Sequence, residues 1–417
     1  MTVHQIEKVE AREIMSAVGR PTVQATVVTK SGVSASASVP SGTSKGKYEA
    51  KELIDGGTRF RGLGVRRAVE NVNTRIAEAL AGIDVYRQRE IDETLLALDG
   101  TADKRNLGGN AILAVSLAAA RAAARCMDLP LYRYIGGLGA SRVPMPLSTI
   151  ISGGRHAASG LVFEDYMLVF SRFDVFSQAL EALMDVRYHL EKSLKKRFDY
   201  LSEKGGAFAP PIKSDDEALE LILAAIEKAG YSKKITLGLD VVGSDLYDEA
   251  KKCYNLHGKS LAPEELLAYF VELTKTYPVT LIEDPFHEDD FETFSKLTAV
   301  LPGVLIVGDD LFTTNSKRLR RGIETKACNA LLLKINQIGS LTESVDAGLL
   351  AMRHNYEVIV SGRSGDTVDD FITDLAVGIG AGQIKLGSPV RGERSAKFNR
   401  LLEIEAESAL NNSVLRE

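Results

Sequence analysis

The chain has 417 residues, long enough for two cores, with 45% hydrophobic and 26% charged residues, as in ordinary globular proteins. Its net charge is −5 with both signs spread along the chain, which gives no footing for nucleic-acid binding. Cys126, Cys253 and Cys328 lie far apart and read as reduced thiols, and the N-terminus MTVHQIEKVEAREIM has no apolar signal core. No run of about 18 apolar residues exists, so a membrane span is not expected and a cytoplasmic location is.

Residues 3 to 40 alternate and turn as a strand meander, with Asp55-Gly56-Gly57 closing the region. Helical periodicity follows in VRRAVENVNTRIAEALAG and in YRQREIDETLLALDG, where Gly100 is a stop signal. Asn110 is placed to cap the alanine-rich helix AILAVSLAAARAAARCMD. Strands followed by helices predict an α+β domain over residues 1–135. Pro130, Pro144 and Pro146 bracket a linker near 130–146, and the second domain takes residues 136–417. It opens with a strand, VFEDYMLVF at 162–170, and a long helix over roughly 174–197.

Farther on, a regular pattern sets in. Six short apolar runs each end in a polar or charged residue. They reach Asp240 (ITLGLD), Glu283 (VTLIED), Asp309 (VLIVGD), Lys334 (ALLLK), Ser361 (EVIVS) and Lys385 (GQIK). Four to six β-branched or leucine residues in a row are how a strand buried on both faces reads. From Glu283 onward the markers follow one another at 24 to 27 residues, room for a strand, a helix and two short loops. That rhythm predicts a (β/α)8-type barrel, whose C-terminal strand ends carry the active site.

Three carboxylates and two lysines therefore converge on one mouth. Asp240, Glu283 and Asp309 are hard oxygen donors of the kind magnesium takes. Singly, each reads more readily as a helix cap or a lysine partner. Three in register would repel one another strongly without a cation. Lys334 and Lys385 can serve as a base or as structural ion-pair partners. The stretch Gly362-Arg363-Ser364-Gly365 offers a guanidinium, a hydroxyl and flexible backbone to a phosphate. Taken alone, SVPSGTSKG (38–46) reads as a surface turn, and GGRHAASG (153–160) as a flexible loop with one histidine.

These segments together resemble the enolase family. The likeness is carried by SVPSGTSKGKYEA, NAILAVSLAAA, IEDPFHEDD, VGDDLFTTN, LLLKINQIGSLTES and GQIKLGSPVRGERSAK, and runs from about residue 5 to 405. It implies an α+β capping domain before an enolase-type barrel whose opening strand order departs from a plain (β/α)8. It also implies magnesium (two ions per site, the second entering with substrate), a phosphorylated three-carbon acid as substrate, and a homodimer or larger homo-oligomer. Carried over by motif, Asp240, Glu283 and Asp309 match the magnesium ligands and Lys334 the base beside the substrate carboxylate. Lys385 matches the lysine that neutralises that carboxylate, and Arg363 and Ser364 match phosphate contacts. Ser44 matches the loop serine on the second magnesium, and His156 the loop histidine that closes over substrate.

Three positions depart from the family pattern. Gln-Glu-Phe-Met is here Glu164-Asp165-Tyr166-Met167. Asp-Glu-Gly-Gly, whose second acid protonates the leaving group, is Glu203-Lys204-Gly205-Gly206. Ser-His-Arg-Ser-Gly has Gly362 in place of its histidine. All three belong to the side that handles the leaving hydroxyl. The resemblance thus implies a hydro-lyase converting 2-phosphoglycerate to phosphoenolpyruvate, with the hydroxyl helped by Glu203, Asp165 or water. An alternative keeps proton abstraction but takes a related phosphorylated or phosphonate acid. Lys204 and space freed at Gly362 would then hold an extra anionic group. A second alternative is a non-catalytic binding protein on the same fold.

Overall fold

The computed structural model describes residues 3–42, 46–155, 157, 159–198 and 202–414, with side chains of the last helix to residue 408. The meander forms as β1 (Ile6–Met15), β2 (Pro21–Thr29) and β3 (Ser34–Ser38), antiparallel in sequence order. Its inward residues Val23, Ala25 and Val27 alternate along β2 and pack against the helix Gly109–Cys126. Alanine along that helix permits the close approach, and nearly every residue of it is buried.

Asn110 is not the cap of this helix. The N-cap is Gly108, at φ 97°, where a Cβ would fall 2.5 Å from the Leu53 side chain. Asn110 lies inside the first turn. It accepts from the Leu53 backbone N–H (3.0 Å) and donates to the Leu53 carbonyl (3.3 Å), so it satisfies a neighbouring extended segment. The periodic run after residue 65 is helical from Arg66 to Leu80, with a π segment at Val72–Ile76. The next helix, Gln88–Asp99, stops as expected at Gly100 in the left-handed conformation.

The expected linker at 130–146 is largely structured. It holds a short helix, Leu131–Gly136, packed against the barrel helix Phe371–Ile379 with the glycines 136 and 378 at the contact. Pro146 lies within the first barrel strand, β4 (Met145–Ser152). The next strand, β5 (Asp165–Val169), is shorter than the apolar run suggested, and the helix after it spans Phe176–Lys195. A small hairpin follows: β6 (Ser202–Lys204) and β7 (Ala207–Ala209), joined to β4 through Ile151 and Phe208.

The regular strands are β8 (Thr236–Asp240), then β12 (Val279–Glu283), β13 (Leu305–Gly308), β14 (Ala330–Leu333), β15 (Glu357–Ser361) and β16 (Gln383–Lys385). Between β8 and β12 lies a separate three-stranded sheet of β9 (Tyr247–Asp248), β10 (Cys253–Leu256) and β11 (Lys259–Leu261). It explains the long gap before the spacing becomes even. Eight strands close in the order β4, β5, β8, β12, β13, β14, β15, β16, with β16 pairing parallel to β4. Only β5 runs antiparallel to its neighbours β4 and β8. The fold is an α+β domain followed by a closed eight-stranded barrel whose second strand is reversed. Leu147, Met167, Leu281, Val307, Leu332 and Ile359 fill the barrel interior. Among the described residues no helix is long and apolar enough to cross a membrane.

The inserted sheet is pinned to the barrel by Asp215, which is buried at the start of the helix Asp215–Lys228. Its carboxylate accepts from Tyr166, from His257 Nε2 at 2.6 Å and from Tyr269 at 3.3 Å. That hydrogen bond, against partial burial, raises the His257 pKa. A histidine with a raised folded pKa stabilises the fold fully below its unfolded pKa, about 6.5, and loses that contribution as pH rises through the folded value. His257→Asn tolerates the local φ of 50°. Its melting temperature should fall below wild type at acidic pH and approach it at alkaline pH. The gap is worth under about 1 kcal/mol because water screens a partly exposed ring. Thermal melts across pH check this, and a gap that widens with pH would contradict it.

Candidate active site

Parallel strands deliver their C-terminal residues to one end, and this end holds the predicted charges. Asp240 and Glu283 are register partners on β8 and β12, as are Ser361 and Lys385 on β15 and β16. Asp309 and Lys334 directly follow β13 and β14. Asp165 reaches the same mouth by the opposite logic. Because β5 is antiparallel, its first residue is at the mouth, paired with Asp240.

Lys385 Nζ lies 2.7 Å from both Asp240 Oδ2 and Glu283 Oε2, and 3.9 Å from Asp165 Oδ2. Lys334 Nζ donates to Asp309 Oδ2, and Gln337 Nε2 donates to the other oxygen at 2.7 Å. Glu283 is fully buried, and its Oε1 has no hydrogen-bond partner among the described residues. Burial, and then the neighbouring Asp240 charge, push its pKa well up. Burial works against ionisation of Asp309 too, but Lys334 beside it holds that carboxyl below its usual range. In turn Asp309 raises Lys334 despite the cost of burying an ammonium.

An orphaned buried carboxylate oxygen among crowded acids is the environment a hard divalent cation relieves. The donor set therefore fits magnesium. The sequence reading missed two further acids here. Asp284, at φ 41°, accepts from the backbone N–H of Asp309 (2.9 Å) and of Asp310 (2.6 Å), and burial pushes its pKa up to about 8. Carboxylate oxygens of Asp284, Asp309 and Asp310 come within 4.8 Å of one another. The Asp284-Pro285 step and the doubled acid in VGDD were the available signals.

Arg363 is buried and held from the first domain. Its guanidinium donates to Glu49 at 3.0 and 3.2 Å and to Asn336 Oδ1 at 3.2 Å. Glu49 was not foreseen, although it lies inside the quoted segment SVPSGTSKGKYEA. Ser364 lines the same cavity, whose volume is about 340 Å³. Ser44 and His156 fall outside the described residues.

On the leaving-group side the three candidates separate. Lys204 lines the cavity, with Nζ 3.2 Å from Glu164 Oε1. Burial, then the Asp240 charge, raise the Glu164 pKa. Asp165 also lines it, accepting from Thr149 Oγ1 at 3.0 Å and Ser152 Oγ at 3.1 Å. Glu203 does not. Neighbours on a strand face opposite ways, and Glu203 pairs with Arg187 at 2.7 Å, off the cavity. Nor is there space freed at Gly362. A Cβ there would lie 2.9 Å from Asp366 Oδ2 and 3.2 Å from the Arg394 guanidinium, which fill the room a side chain would need.

The geometry agrees with the comparisons. Residues 140–414 match the family model described as the C-terminal TIM barrel domain of enolase, and residues 6–135 match the enolase N-terminal domain. The chain is 49% identical to a protein named enolase from Methanopyrus kandleri, covering 97% of this chain and 96% of that one. It is 51% identical to an enolase from Pyrococcus furiosus, covering 97% and 95%. Identity to an enolase from Methanocaldococcus jannaschii is 47%, covering 98% and 96%.

Proposed function

The chain belongs to the enolase family, and from that membership we propose how its residues carry the magnesium-dependent dehydration of 2-phosphoglycerate to phosphoenolpyruvate. The observation that carries this reading is the cluster of Asp240, Glu283, Asp309, Lys334 and Lys385 on five strand ends, beside the buried Arg363. Asp240, Glu283 and Asp309 hold the cation. When bound, magnesium offsets the acids and steadies negative charge that develops on the substrate carboxylate.

The chain's own groups do the rest. Arg363, kept in place by Glu49, and Ser364 bind the phosphate. Lys334 takes the proton from C2 as a general base. The electrons of that C–H bond form the C2–C3 double bond, and the C3–O bond breaks. Lys385 adds positive charge next to the carboxylate. Lys204, steadied by Glu164, is the cationic donor on the cavity wall that gives the departing hydroxide its proton, so that water leaves. Two magnesium ions per site, the second arriving with substrate, belong to the same proposal. So do a homo-oligomeric state and a domain boundary at residues 135 and 136, which is supported by the contrast between the meander with its helices and the closed barrel.

Turnover is followed directly as enol absorbance from 2-phosphoglycerate. The rate should be at least about one per second with magnesium and vanish after chelation. Unchanged turnover in chelator would remove the cation from the account, and no turnover with magnesium would remove the substrate.

A further inference from the structure

The β6–β7 hairpin carries Lys204, the proton donor of the proposed reaction, yet has little of its own to hold it. Each strand is three residues long, and β6 is an edge strand paired with β7 alone. A two-stranded ribbon of that size does not keep its shape unaided. The turn is Gly205-Gly206, with φ of 59° and 87°, the two left-handed positions that a two-residue type I′ turn requires. Among the described residues, β7 joins the barrel through the pair Ile151 and Phe208.

Arg187 supplies what the hairpin lacks. It lies on the helix Phe176–Lys195, outside the barrel, and is 7% exposed. Its guanidinium touches both strands and the turn. One terminal nitrogen donates to the Gly206 carbonyl at 2.6 Å and to Ser388 Oγ at 3.2 Å. The other donates to Glu203 of β6 at 2.7 Å. Its Cζ stands 4.2 Å from the centre of the Phe208 ring on β7. A rigid planar fork is suited to several such contacts at once. Ser388 belongs to the loop after β16, against which the turn is pressed: a Cβ on Gly206 would fall 2.8 Å from the Val390 carbonyl. Arg187, Glu203, Gly206, Phe208 and Ser388 all lie off the cavity, whereas Lys204 lines it, with Nζ 3.2 Å from Glu164 Oε1. Strand alternation links the two sides: Glu203 is drawn outward to Arg187, and its neighbour Lys204 is thereby turned inward.

We propose that Arg187 is a positioning residue for the leaving-group step, holding the hairpin so that Lys204 faces the departing hydroxide. This rests on the reading above in which Lys204 protonates that hydroxide, and it gives the Glu203-Lys204 pair a joint role. Glu203 anchors the strand, and Lys204 does the chemistry. The base side is fixed by other means. Lys385 pairs on both sides within the barrel, and Lys334 directly follows β14. Loss of Arg187 therefore reaches the acid and spares the base.

The test uses the full chain with magnesium and 2-phosphoglycerate in D2O. Dehydration and deuterium exchange at C2 are compared in wild type, Arg187→Gln, Lys204→Ala and the double variant. Arg187→Gln should slow dehydration by about ten- to a hundredfold, the scale of a misplaced catalytic group. KM and C2 exchange should stay within about twofold, so the ratio of exchange to dehydration rises. In the Lys204→Ala background, Arg187→Gln should cost less than about a further twofold, because no donor is left to misplace. Arg187→Lys is the milder second variant; it keeps the charge without the fork and should fall between. An equal loss of exchange and dehydration, or a full second loss in the double variant, overturns the proposal. Amide hydrogen exchange over residues 202–209 reads the hairpin without turnover. It should quicken in Arg187→Gln while β12 to β16 stay protected, and unchanged protection of the hairpin also overturns the proposal. Lys204→Ala at the wild-type dehydration rate would instead remove the donor of the reading above, and this role of Arg187 with it.

Discussion

Lys334→Ala is expected to lower turnover of 2-phosphoglycerate by on the order of 10² to 10⁴, the usual range for loss of a general base, and by more because here the base begins the reaction. In the structure the Lys334 side chain is 14% exposed and its ammonium is bound to Asp309, which favours its charged form. A base must be neutral, so the Asp309 carboxylate has to be shared before Lys334 can accept a proton. Holding a cation is the role already given to Asp309, and that links loading of the site to arming of the base. Lys334→Arg keeps the charge but not the basicity and should be about as inactive as alanine. Thermal melts should remain near wild type for the arginine variant, because Asp309 keeps a cationic partner. Steady-state rates of both variants decide the point. Activity retained in Lys334→Arg would move the base elsewhere.

The second large effect is expected at Glu283. Glu283→Gln preserves shape, and Asp240 still faces Lys385 at 2.7 Å, so the fold should persist. What is lost is one anionic oxygen ligand. Removing only an outer partner of a metal ligand typically costs 10- to 100-fold in affinity or activity. Loss of the ligand itself should exceed about 100-fold in magnesium affinity and leave turnover near background. Calorimetric titration of magnesium into wild type and variant checks this. Wild-type affinity in Glu283→Gln would mean that the cation is held elsewhere, with Asp284, Asp309 and Asp310 the next group to examine.

Much of this site was readable because a parallel barrel converts one-dimensional spacing into convergence. Asp240, Glu283, Asp309, Lys334 and Lys385 each end an apolar run, and the fold brings such ends together whatever the loops do. Asp284 and Asp310 escaped notice because nothing in periodicity distinguishes the residue after a strand end from the strand end itself. Their roles depend on backbone geometry, above all the left-handed φ at Asp284. Glu49 was invisible for a different reason. Its partner Arg363 is 314 positions away, across the two domains, and no local pattern reports such a pair. Glu203 and Lys204 are adjacent in sequence, yet strand alternation sends one to Arg187 and the other into the cavity. Gly362 reads as vacancy when residues are compared by size alone. In three dimensions Arg394 and Asp366 fill the space. Asn110 has capping chemistry in the right place, but Leu53 competes for the same side chain.

The central claim is that this cavity removes the proton at C2 of 2-phosphoglycerate and then expels the C3 hydroxyl. It is tested most directly by incubating the wild-type protein with that substrate and magnesium in D2O and following both events by proton NMR. The account predicts vinyl protons of phosphoenolpyruvate and deuterium at C2 of recovered substrate, both absent in Lys334→Ala. A folded, magnesium-binding wild-type protein that leaves the C2 proton of 2-phosphoglycerate in place would contradict it.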